Sequence, residues 1–117
     1  MTINDTSVWM LGRLRVREFK EIDLVPLVEK LVDGVGKQGN ASQYEYGIRE
    51  NEVHLYERYP NSDAWEKHVD RFLEHFAEEL LETLEPFEMF AYGPVSDSLR
   101  EKIAAFGFVY FKRIGGL

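Results

Sequence analysis

At 117 residues, with 44% hydrophobic and 30% charged residues, the chain has the size and balance of one globular domain. Its net charge of −7, from 21 acidic against 14 basic residues, repels a phosphate backbone, so nucleic-acid binding is not expected. The absence of cysteine excludes disulfides, thiol nucleophiles and thiolate metal sites.

The first element is expected at Ser7 to Val16, "SVWMLGRLRV". Its alternation puts Trp9, Leu11 and Arg13 on one side and Met10, Leu14 and Val16 on the other, with Gly12 as a bulge or a point of close approach. Leu24, Leu27, Val28, Leu31, Val32 and Val35 then form a helical stripe. Asp23 is the expected cap, Pro26 falls in the first turn, and Gly34, Gly36 and Gly39 end the helix.

"SQYEYGIRENEVHLYERY" reads as two strands joined by a tight turn at Glu50 and Asn51. Tyr44, Tyr46 and Ile48 share one side of the first; Val53, Leu55, Glu57 and Tyr59 share one side of the second, with His54, Tyr56 and Arg58 opposite. A single long helix follows Pro60, with a stripe from Trp65 to Leu84 and a capping-box spacing at Asp63 and Glu66. "FEMFAY" is a further strand, followed by a short helix capped by Ser96 or Asp97 and stopped by Gly107, then "FVYFKRI" as a last short strand or arm.

The order β-α-β-β-α-β is the α+β, ferredoxin-like split βαβ: an antiparallel sheet with two helices on one face. The chain is expected to be a single domain, 1–117, with a core of about 7–92 and a helix-strand extension over 93–117. Both strand faces carry apolar residues, Trp9, Met10, Leu11, Leu55, Tyr56 and Phe90 among them. Helices cover only one face, so a homodimer through the sheet is expected. No membrane-crossing run or signal-peptide pattern is present, and a cytoplasmic protein without membrane partners is expected.

"VHLYERYPNSDAWEKHV" places Glu57-x-Tyr59 at a strand end, Trp65 early in the next helix and His68 three residues on. With this, the chain resembles the antibiotic biosynthesis monooxygenase (ABM) superfamily, whose members form dimeric α+β barrels. The resemblance implies a cofactor-independent monooxygenase: an aromatic-lined pocket holds a small aromatic or quinol-like substrate, a base removes its proton, and the anion reacts directly with oxygen. The Asn, Trp and His set of the haem-degrading branch is not reproduced.

His54 and His68 are the candidate bases, and Trp9, Tyr44, Tyr46, Tyr56, Glu57, Tyr59 and Trp65 the candidate substrate-binding residues. Plainer readings stand beside these: a buried structural histidine at 54, a boundary histidine at 68 bonded to Glu57 or the preceding loop, and sheet tyrosines without a ligand. His75 reads as a surface residue paired with Glu79. No metal site or cofactor is expected. "GVGKQG" lacks the strand-then-helix context of a phosphate loop, and no G-x-S-x-G elbow is present. The alternatives to an oxygenase are a non-enzymatic ligand-binding dimer using the same cavity and an interaction module without a small ligand.

Overall fold

The computed structural model describes residues 5–117. The absence of a signal pattern was read partly from residues 1–4, which lie outside them. The chain runs β1 (Val8–Val16), α1 (Glu21–Gln38), β2 (Gln43–Arg49), β3 (Glu52–Tyr59), α2 (Ser62–His75), α3 (Ala77–Thr83), β4 (Leu84–Tyr92), α4 (Asp97–Lys102), a 3-10 turn (Ala104–Phe106) and β5 (Val109–Phe111). The sheet order is β2-β3-β1-β4-β5. Its first four strands pair antiparallel in the ferredoxin-like order. β5 adds to β4 in parallel, with Phe90 opposite Val109.

Period-two alternation sorts the sheet into two faces. Val8, Met10 and Leu14 of β1, with Val53, Leu55 and Tyr59 of β3, are buried beneath the helices. Gly12 belongs to that buried face, and a Cβ there would come within 3.1 Å of Met89 Sδ. Gly12 is therefore a point of close approach. The register irregularity lies one residue on, between Arg13 and Leu14, where β1 meets Pro86. That irregularity explains why Pro86 lies inside β4 and not ahead of it, since proline is tolerated at bulges.

Four helix boundaries differ from expectation. α1 begins at Glu21 with no side-chain cap, and Asp23 lies within its first turn. Pro26 therefore falls in the second turn and leaves the carbonyl of Ile22, an exposed residue, without its usual donor. Only Gly39 caps the end of α1, in the left-handed region, while Gly34 and Gly36 lie inside the helix. α2 is capped by Asn61, whose side chain accepts from the Ala64 N–H at 2.8 Å, and not by Asp63. The single long helix breaks at Phe76, whose backbone leaves the helical region, and so becomes α2 and α3.

Gly93 joins β4 to the C-terminal segment at φ +93°, and a Cβ there would lie 2.5 Å from the backbone oxygen of Ser7. The left-handed conformation alone costs a non-glycine residue about 1–2 kcal/mol. The clash is with backbone, which cannot swing aside. Gly93→Ala is therefore expected to lose at least about 2 kcal/mol of stability. An unchanged urea midpoint would contradict this.

Candidate functional site

Three elements converge on one end of the helix-covered face. β3 ends with Glu57 and Tyr59 pointing the same way, both buried. β2 sets Tyr44 directly across from Glu57, and Tyr46 across from Leu55. α2 adds Trp65, His68, Val69 and Phe72 at i, i+3, i+4 and i+7, a single helical face.

The Tyr59 hydroxyl donates to Glu57 Oε1, and His68 Nε2 stands 3.5 Å from the same oxygen. The Tyr59 ring stacks on Trp65, with centroids 6.0 Å apart, and on His68 at 5.7 Å. Tyr44 meets His68 edge-on at 5.7 Å, and its hydroxyl lies 2.6 Å from that of Tyr46. In that pair one hydroxyl donates to the other, which leaves the accepting group's own proton free for a third partner.

Tyr44, Tyr46, Glu57 and His68 form the polar end of a cavity of about 60 Å³. Leu55, Val69, Phe72, Met89, Phe106 and Phe108 belong to its apolar wall. No lysine or arginine lines it. Among the described residues, no fully buried side-chain polar atom lacks a partner. Glu57 lines the cavity, and its Oε1 accepts from the Tyr59 hydroxyl.

Burial sets the protonation of the cluster. It pushes the Glu57 carboxyl up to about 7 against the opposing effect of the Tyr59 hydroxyl. It pulls the His68 imidazole down to about 4. Burial also raises the Tyr44, Tyr46 and Tyr59 hydroxyls, which stay protonated as donors. Between about pH 4 and 7 the favoured state is a neutral carboxylic acid beside a neutral imidazole. The ion pair would place two charges where one is already costly.

Six of the residues singled out from the sequence come together here: Tyr44, Tyr46, Glu57, Tyr59, Trp65 and His68. Tyr59 lies behind Glu57 and braces it. Three others do not join them. His54 is not buried in the single chain: its exposed ring pairs with Glu52 Oε2 on the face of the sheet away from the helices. The pleat requires this, because Val53 and Leu55 on either side take the helix-facing positions. Trp9 and Tyr56 lie on that opposite face for the same reason, paired in register with Arg58 and Leu11.

His68 sits at the centre of the buried face of α2 and not at its flank, because the break at Phe76 ends the stripe that was traced through to Leu84. His75 is exposed as expected but lies 3.8 Å from Glu74, while Glu79 pairs with Lys30. Phe72, Met89, Phe106 and Phe108 were missed. Phe72 had a signal, four residues after His68 on the same helical face; the others reach the cavity through long-range packing. No group of three or more histidine, aspartate or glutamate side chains among the described residues is arranged to hold a metal ion. No described helix is long and apolar enough to cross a membrane.

No family model matches the sequence. No curated protein matches it either. Solved structures do match. The crystal structure of MupZ from Pseudomonas fluorescens aligns over 100% of this chain and 92% of its own, with a TM-score of 0.88 at 13% identity. Rv0793 from Mycobacterium tuberculosis aligns over 79% of this chain and 98% of its own, with a TM-score of 0.64 at 18% identity. SnoaB, a cofactor-independent oxygenase from Streptomyces nogalater, aligns over 78% of this chain and 95% of its own, with a TM-score of 0.62 at 15% identity. The chain has the α+β fold of these solved structures, and likeness at such identities speaks to fold alone.

Proposed function

We propose that this chain is a cofactor-independent oxygenase that holds a small, uncharged phenol or quinol in the cavity and starts the reaction by removing its hydroxyl proton. The observation that carries the reading is the meeting of Glu57 and His68, 3.5 Å apart, at the polar end of an apolar cavity. The neutral imidazole, or Glu57 once ionised, accepts the proton, and a base poised near the working pH serves best. The hydroxyl left free in the Tyr44–Tyr46 pair donates to the oxygen that becomes negative. The anion then reacts directly with oxygen. The absence of a lining lysine or arginine supports an uncharged substrate.

The test is oxygen uptake by metal-stripped protein with quinols and anthrone-like phenols. Saturable uptake above the autoxidation background, lost in Glu57→Gln, is the expected result. Saturable fluorescence changes without any uptake would instead make the chain a binding protein. A second reading, proton transfer without oxygen, is supported by the Glu57 carboxyl, which still holds a proton near neutrality and can donate it. Substrate loss that continues unchanged under argon would favour that reading over the oxygenase.

We further infer a homodimer through the uncovered face of the sheet. Trp9 stacks on Tyr92 there at 5.3 Å, Tyr92 stacks on Phe111 at 5.1 Å, and Phe111 is exposed. A patch of this kind is ordinarily covered. Sedimentation at a single 13.7 kDa mass across concentrations would rule the dimer out.

A further inference from the structure

We infer that the segment after β4 gauges ligand size: α4 and the 3-10 turn deliver Phe106 and Phe108 as the wall that must yield, and so decides which apolar ligands enter. This rests on the cavity being the ligand site, as proposed above. The free volume is about 60 Å³. An apolar cavity that takes benzene measures roughly 150 Å³. An aromatic ring therefore fits only if part of the wall moves or is missing.

Phe72, Tyr44 and Tyr46 are as half-buried as Phe106 and Phe108, but they stand on α2 and β2 of the βαββαβ unit. Leu55, Val69 and Met89 are buried core residues of β3, α2 and β4. Phe106 and Phe108 are only half-buried, and they come from outside the βαββαβ unit, which ends at Tyr92. Phe108 meets Trp65 edge-on at 5.8 Å and Phe106 lies against Phe72 at 6.3 Å, so the pair closes over the cavity face of α2.

The segment that carries them is tied to α2 from outside. Lys102 Nζ donates to Asp70 Oδ1 at 2.7 Å and lies 2.8 Å from Glu66 Oε2. Ser98 Oγ donates to Glu66 Oε2 at 2.8 Å, and the Ser96 N–H donates to Ser62 Oγ at 2.9 Å. Leu99 and Ile103 anchor it from within. The backbone of the wall is thus held at a set distance from α2. The two phenyl rings, not the path of the chain, set the space behind them.

The experiment is calorimetric binding of benzene, toluene and n-butylbenzene to the full chain and to Phe106→Ala. Wild-type affinity should fall along the series. Phe106→Ala should bind n-butylbenzene about tenfold more tightly than wild type does, because each added methylene then gains a place out of water. Affinities in the same order and within about twofold in both proteins would overturn the inference. Absence of binding to either protein would overturn it too.

Phe106→Leu should shift in the same direction by less, and it carries the test if Phe106→Ala loses its circular dichroism signal. Matched 4-alkylphenols run alongside examine the polar end separately. If they bind no tighter than the alkylbenzenes, the Glu57–His68 reading fails while the size gauge stands.

Discussion

Glu57→Gln is expected to lower kcat/KM by about 10²- to 10⁴-fold while leaving the fold intact. The amide matches the carboxyl in shape, and its oxygen still accepts from the Tyr59 hydroxyl, so the local packing survives. What it lacks is a proton to give or a charge to gain. A rate within about threefold of wild type would remove Glu57 from the chemistry.

The same substitution has a second readout that needs no substrate. Burial lifts Glu57 from an ordinary 4.5 to about 7, so the folded protein keeps a proton that the unfolded chain has lost. That contribution to stability therefore falls as pH rises from 4.5 to about 7. Burial lowers His68 from 6.5 to about 4, so the unfolded chain takes up this proton first on acidification. Its contribution is lost as pH falls from 6.5 to about 4.

The two slopes oppose each other between pH 4.5 and 6.5, and wild-type stability should be nearly level there. Glu57→Gln leaves only the histidine slope, so the variant should gain stability with rising pH at about 1.4 kcal/mol per unit. Urea melts at several pH values read this directly. Parallel curves for the two proteins would mean that Glu57 ionises normally.

Trp65→Ala is expected to cost about 3–5 kcal/mol, a large share of the stability of a domain this size. Trp65 is 1% exposed, stacks at 7° on Tyr59 and meets Phe108 edge-on. The substitution leaves a hole between β3 and α2 and frees the ring that holds the Tyr59 hydroxyl on Glu57. Trp65→Phe keeps a ring in the stack and should lose far less. If the two variants melted together, the stack would not be what secures this corner of the fold.

The β1 faces, the β2–β3 hairpin and the buried run Val53, Leu55, Glu57 and Tyr59 were legible because a strand's period of two is written into consecutive residues. The same alternation already separated His54 from Glu57. What it lacked was the knowledge of which face the helices would cover, so His54 stayed a candidate until the sheet was assembled. His68 was placed at the edge of its stripe because the helix was traced unbroken to Leu84. The break at Phe76 depends on packing against α1, where Gly34 leaves room for the Phe76 ring.

Phe106 and Phe108 had no local signature at all. They become wall residues only because β5 pairs with β4 and α4 ties to α2, contacts that join distant parts of the chain. The raised carboxyl of Glu57 belongs to the same class of property. The alternation placed Glu57 beside Val53, Leu55 and Tyr59, but its raised carboxyl depends on the aromatic residues and the histidine that close around it.

The most direct test of the account is a pH titration of the Glu57 carboxyl by infrared difference spectroscopy, with Glu57→Gln as the blank. The expected result is a protonated carboxyl band that persists to a midpoint near 7. A carboxyl fully ionised by pH 5.5, about one unit above its ordinary value, would contradict it and leave the cavity without its acid.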